Sequence, residues 1–307
     1  MLTADILIPV YRPDGKFEEL LKRLDAQRYP IRRVIVMNTE EKFFPKGITE
    51  QYGCVEVHHV TKSAFDHGGT RNQGIGLSDA DVVICMTQDA VPKDRHLIGN
   101  LMKAFEDPGV WAAYARQLPA EGCSEVEVYT RSFNYPPESR LKGKEDLRTM
   151  GIKAFFCSNV CAAWRRDRYM ELGGFEKRTI FNEDMILAGR FLQAGGMIAY
   201  CADARVIHSH NYGAVQQFHR YFDLAVSQAM HPEVFAGIRS ESEGIRLVKK
   251  CVGHCIRVGK PWLIFSVAAQ NAGKLLGYRL GKKYEKLPRK LILMCTMNRS
   301  FWQEEGR

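Results

Sequence analysis

The chain has 307 residues, 45% apolar and 26% charged, enough to bury the core of one large α/β domain with an appendage, or of two domains. Its formal net charge is +9, no apolar run is long enough to span a bilayer, and the first ten residues lack the basic start and cleavage site of a secretory signal, so a cytoplasmic protein is expected. Nine cysteines without a C-x-x-C pair exclude a zinc knuckle or thioredoxin-like pair and read as free buried thiols.

Residues 5–11 predict a first strand, and Phe17, Leu20, Leu21 and Leu24 recur at helical spacing to predict a helix over 16–27. A second apolar strand over 33–37 ends at Asn38-Thr39-Glu40, and a third covers 55–60. Strands alternating with helices argue for right-handed βαβ units. After a helix starting near Thr70, the run 82–86 is uniformly apolar and reads as a central strand of a parallel sheet, buried on both faces. It ends abruptly at Thr87-Gln88-Asp89, the carboxyl end of a strand, where open α/β sheets bind ligands. Taken alone, Asp89 and Pro92 could equally open the next helix, expected over 97–105. A strand over 111–116 follows. Residues 123–152 read as a loop region flanking the site.

Strand character returns over 155–164, a helix over 166–172 stops at Gly173-Gly174, and Phe181-Asn182-Glu183-Asp184 opens another helix. Two short strands, 197–201 and 205–208, close the sheet, and everything after Tyr212 reads as helical. The expected boundary divides residues 1–213 from a basic helical region, 214–307. From Arg239 onward there are 15 Lys and Arg against 5 Glu and no Asp, so the positive charge belongs to the tail and suits a polyanionic surface.

Four motifs fall at strand ends or helix starts: Pro9-Val10-Tyr11, the Asp66-His67-Gly68-Gly69-Thr70-Arg71-Asn72 segment, Thr87-Gln88-Asp89, and Asn182-Glu183-Asp184. In this order they resemble the inverting glycosyltransferases of family 2, over about two thirds of the chain. The resemblance implies a GT-A fold: an α/β, Rossmann-like, mostly parallel central sheet flanked by helices, with a C-terminal helical appendage. It implies that Pro9, Val10, Tyr11, Asn38, Asp66, His67, Arg71, Gln88 and Asp89 bind a nucleotide-sugar donor. Asn38 replaces the family's usual base-contacting Asp. Of the family's Asp-x-Asp metal motif only Asp89 remains, so this carboxylate, with His208 or His210, would hold Mg²⁺ or Mn²⁺ together with the donor's phosphates. Asp184 would be the general base, and Glu183, Asn182 and Trp164 would lie on the acceptor side.

The Phe65-to-Asn72 segment and the Gln88-Asp89-Ala90 form of the metal motif resemble the rhamnosyltransferase branch. This implies a dTDP-rhamnose donor and a saccharide or lipid-linked saccharide acceptor, with a UDP-sugar donor as the alternative. A nucleotidyltransferase would want a glycine-rich basic segment straight after strand one, and Tyr11-Arg12-Pro13-Asp14-Gly15 is a poor match. The basic tail alone would also fit nucleic-acid binding. Against that alternative, the tail is expected to dock on the anionic inner face of the cell membrane or to form an oligomer contact, without nucleic acid.

Overall fold

The computed structural model describes residues 1–238 and 241–304. Nine strands form one sheet: β1 (Ala4–Tyr11), β2 (Val34–Thr39), β3 (Val55–Val60), β4 (Val82–Met86), β5 (Val91–Pro92), β6 (Val110–Leu118), β7 (Arg140–Lys142), β8 (Cys161–Arg165) and β9 (Met197–Ile207). The strand order is β3-β2-β1-β4-β8-β6-β9-β5, with β7 also paired to β9. The ladders β1–β2, β2–β3, β1–β4 and β6–β9 are parallel, whereas β8 runs against both β4 and β6. The sheet is therefore mixed, parallel over the first four strands as the βαβ pattern requires.

Every residue of β4 is buried, as its uniform apolar character demands. Around it Ile6, Ile8, Phe17, Val36 and Ile84 belong to one core cluster, fed by the apolar face of the helix Gly15–Asp25. At the other end of β1, Thr3 N–H and Oγ1 both donate to Asp81 Oδ2 at 2.7 Å, tying the start of β1 to the start of β4.

Three sequence expectations change. Residues 123–152 are not a loop: they hold the helix Glu125–Asn134 and β7. Only Val126 of that helix is buried, so its apolar periodicity is too thin to register. The two closing strands are one, β9, whose register with β6 breaks between Ala115↔Cys201 and Arg116↔Arg205. Finally, the strand expected over 155–164 narrows to β8 at Cys161–Arg165, while Val91–Pro92 forms β5 ahead of the helix that begins at Leu97 as expected.

The chain divides into two compact units. One, made of Met1–Ala120, Tyr135–Lys177 and Glu183–Ser209, carries the whole sheet. The other, Glu121–Asn134, Arg178–Asn182 and His210–Arg307, is helical in its described residues. Within it the helix Leu263–Gly281 lies against Ala214–Met230 through three glycines four residues apart. A Cβ at Gly273, Gly277 or Gly281 would come within 2.4, 2.1 or 2.3 Å of the carbonyl oxygens of Ala214, Phe218 and Phe222. Only glycine permits so close an approach. Among the described residues no helix is long and apolar enough to cross a membrane.

Candidate active site

Parallel pairing brings the carboxyl ends of β1, β2, β4, β6 and β9 to one rim of the sheet, and antiparallel β8 begins at that rim. Register sets Asn38 beside Val10 and Thr39 beside Tyr11. The Gln88 amide clasps the backbone of Tyr11, Oε1 accepting from its N–H at 2.7 Å and Nε2 donating to its carbonyl at 3.2 Å. The ends of β1 and β4 are thus fastened to each other. Tyr11 is 36% exposed and meets Phe43 edge-on, while Val10 and Asn38 are buried and the Asn38 amide pairs with His59 Nδ1 at 2.9 Å.

Asp89 reaches its partner through β5. Val91↔Ile207 and Pro92↔Val206 pair antiparallel, which turns the segment after Asp89 back along the end of β9. As a result Asp89 Oδ2 lies 3.5 Å from His208 Nε2. The other imidazole nitrogen, Nδ1, lies 3.2 Å from Gln117 Oε1. An amide oxygen only accepts, so this contact calls for a proton on Nδ1 and leaves Nε2 facing Asp89, as a donor to the carboxylate when protonated and as a ligand atom beside it when not. Lys16, Asp89, Val91, Ala120, Ile207, His208 and Ser209 line a pocket of about 210 Å³. A carboxylate oxygen beside an imidazole nitrogen, at the wall of a cavity, is a donor set that fits a divalent cation completed by phosphate oxygens. His210 follows two residues along the chain.

The second half of the site is a buried polar chain. Arg71, on the helix His67–Gly76, pairs with Glu183 Oε1 at 3.2 Å and donates to the His67 carbonyl at 2.9 Å. Asn159, just ahead of β8, joins the next links. Its Nδ2 lies 3.3 Å from Glu183 Oε1, its Oδ1 accepts from the Trp164 indole N–H at 3.0 Å, and its backbone N–H donates to Asp184 Oδ2 at 3.0 Å. Asp184 Oδ1 accepts from Met185 N–H at 2.7 Å. Thr87 N–H meanwhile donates to the Val160 carbonyl at 3.2 Å. Asp184 is therefore tied to the residue next to Val160, and Asp89 stands two residues beyond Thr87, so both acids leave the same rim.

The two neighbouring acids are set apart electrostatically. Burial opposes ionisation of Glu183, but the Arg71 guanidinium, His67, a backbone N–H and the Asn159 amide together outweigh it and hold this carboxyl below its usual range. For Asp184, burial pushes the carboxyl up, the Glu183 charge adds to the push, and two backbone N–H donors only partly relieve it, leaving it at about 7. One acid is a fixed anion and the other exchanges its proton near neutrality.

Several residues assigned from the resemblance sit deeper than a ligand contact requires. Trp164 is fully buried and serves the polar chain through Asn159. Asn182 is buried with φ +64°, its amide donating to the Leu224 carbonyl. Asp66 is half-buried and caps the helix His67–Gly76, accepting from Gly69 N–H, whereas His67 is exposed, edge-on to Phe65. The close approach permitted by Gly68 is to protein: a Cβ there would come 1.9 Å from the Glu176 carbonyl oxygen. Asn159 and Gln117 went unnoticed in the sequence, where no spacing marks either.

Residues 5–173 match the family model described as Glycosyl transferase family 2. The chain belongs to this family. As a glycosyltransferase it is similar over nearly its whole length to two curated relatives. O-antigen chain rhamnosyltransferase RfbN of Salmonella typhimurium is 36% identical over 301 residues, covering 97% of this chain and 95% of its own. O-antigen chain rhamnosyltransferase WbaN of Salmonella anatum is 34% identical over 307 residues, covering 98% and 96%. Among solved structures, S. aureus TarS 1-349 superposes with a TM-score of 0.55 at 13% identity, covering 93% of this chain and 91% of its own. The mannosyltransferase PcManGT from Pyrobaculum calidifontis, in complex with GDP-Man and Mn2+, gives 0.54 at 16%, covering 99% and 86%. These two share the GT-A fold with the glycosyltransferase described here.

Proposed function

We propose that this glycosyltransferase moves L-rhamnose from dTDP-rhamnose onto a saccharide or lipid-linked saccharide in O-antigen synthesis, with inversion at the anomeric carbon. The sugar assignment rests on the near full-length likeness to two proteins named as O-antigen rhamnosyltransferases. The mechanism rests on one observation: Asp184, poised near neutrality, leaves the same rim as Asp89.

In this reading Asp184 takes the proton of the acceptor hydroxyl as its oxygen attacks the anomeric carbon from the face opposite the leaving group. The bond to the diphosphate breaks as the new glycosidic bond forms, and the configuration inverts. Asn159 aims the Asp184 carboxylate, while the Arg71–Glu183 pair fixes the neighbouring charge. Asp89 and His208, with His210 as the other candidate ligand, would hold Mg²⁺ or Mn²⁺, which would neutralise the charge developing on the diphosphate. Pro9, Val10, Tyr11 and Gln88 would border the nucleotide at the ends of β1 and β4. Work at a lipid-linked acceptor would keep the protein in the cytoplasm, beside the inner face of the membrane.

The test is a thermal-shift titration of the full chain with dTDP-rhamnose, UDP-glucose and GDP-mannose, each with and without Mn²⁺. The dTDP-rhamnose reading expects the largest metal-dependent rise with that donor, and rhamnosyl transfer from it to a saccharide or lipid-linked saccharide acceptor. A rise confined to a UDP-sugar would replace the donor and leave the family assignment standing.

A further inference from the structure

Two successive helices of the helical unit, Glu241–Arg257 and Leu263–Gly281, are joined by a short turn. Residues 244–283, which span most of both helices, contain nine Lys and Arg and no Asp or Glu. Large apolar side chains are exposed at the turn and at the helix ends beside it. Ile256 is 60% exposed, Trp262 63% and Phe265 81%, with Val258 between them at 38%. The buried sides of the same helices account for their packing: Cys251, Cys255 and Val267 pack with Val126, while Leu263 and Ile264 are partly covered. The four exposed residues take no part in that cluster.

Along the first helix, Arg246, Lys250 and Arg257 recur at spacings of four and seven, and Ile245, Lys249 and Ile256 follow one residue behind. All six are exposed, so cations and apolar side chains share one side of the helix. An exposed tryptophan and phenylalanine on a segment rich in basic residues suit the boundary of a bilayer, where an indole keeps its N–H in the headgroup layer and its ring in the acyl layer. Lys260 pairs with Glu125 at 3.1 Å, and anionic headgroups would supply counter-charge to a segment that still carries a cationic excess.

We infer that the turn from Ile256 to Phe265 is a membrane-docking wedge, inserted shallowly among anionic lipids. A second copy of this chain is a poor occupant, because it would bring an equally cationic face to the same place. Nucleic acid would use the cations but leave Trp262, Phe265, Ile256 and Val258 in water unless bases stacked on them. The inference does not depend on the donor or on the reaction direction.

The experiment uses the full chain and vesicles of phosphatidylcholine alone or mixed with phosphatidylglycerol, at low and high ionic strength. Flotation with the mixed vesicles at low salt is expected, with at least a tenfold weaker association for pure phosphatidylcholine and for mixed vesicles at high salt. Trp262→Ser/Phe265→Ser should lower association with the mixed vesicles at least tenfold, with an unchanged circular dichroism spectrum. Intrinsic fluorescence should shift to the blue on binding, and Trp262→Phe should remove that shift while the other three tryptophans remain. Absence of flotation, flotation indifferent to the double substitution, or tighter retention on single-stranded DNA than on vesicles would each overturn the wedge. So would self-association that survives high salt and is abolished by the same double substitution.

Discussion

Arg71 and Glu183 form an ion pair, Nη1 to Oε1 3.2 Å, with only 6% and 12% of their side chains exposed. Breaking such a pair leaves one charge buried without compensation, which costs about 3–5 kcal/mol. Arg71→Ala is therefore expected to lower the denaturation midpoint substantially, whatever it does to donor affinity. Replacing both partners, Arg71→Met with Glu183→Leu, should recover most of that loss. Chemical denaturation of the two variants beside the wild type checks this, and a stable Arg71→Ala would return Arg71 to a simple phosphate-binding role.

Asp184 must be ionised to accept a proton, and its carboxyl sits at about 7. Activity at saturating metal should therefore climb tenfold per pH unit below about 7 and level off above it. Asp184→Asn should cut transfer by about two to four orders of magnitude with donor binding intact. Initial rates from pH 5.5 to 9 test the profile. A flat profile in the wild type, or an active Asn variant, would remove Asp184 from the chemistry.

If Asp89 and His208 hold the cation, Asp89→Ala should abolish turnover and the Mn²⁺-dependent part of the donor-induced thermal shift together. His208→Ala should weaken the same shift without altering the metal-free baseline. Isothermal titration of donor with and without Mn²⁺ provides the measurement. A metal-dependent affinity retained by Asp89→Ala would place the ion elsewhere.

In the helical unit, Gly277→Ala would drive a methyl to 2.1 Å from the Phe218 carbonyl oxygen, and the helices must separate. The expected loss is about 1–3 kcal/mol. Gly244→Ala meets nothing within 4 Å and should be neutral or gain up to about 1 kcal/mol from helix propensity. Thermal melts of both variants side by side would distinguish contact from propensity.

The sequence made the frame legible where burial is complete. The runs forming β1, β2 and β4 are apolar on both faces, and Asp89 stands out because it ends one of them. Glu183 and Asp184 were recognisable as a pair, but their different charge states were not, since these depend on Arg71 and Asn159, far away in the chain. β5 was missed because two residues carry no periodicity and Pro92 is as much at home beside a helix as at a sheet edge. The three glycines at 273, 277 and 281 look unremarkable in a chain with 26 of them until their partner helix is known. Asn159 was invisible for a similar reason, its backbone and side chain each serving contacts that only the fold assembles.

The direction of β1 bears on how the protein can be handled. It starts at Ala4, where Thr3 is fastened to Asp81, and ends at Tyr11, in the clasp of Gln88. Eight residues in extended form separate those ends by about 23 Å at roughly 3.3 Å per residue. Met1 is 92% exposed on the near side of that span. An affinity tag, a fluorophore or a surface-immobilisation linker added ahead of Met1 would leave from the rim where β1 starts. The rim that carries Tyr11 and Gln88 would lie at the opposite end of β1 from such a linker.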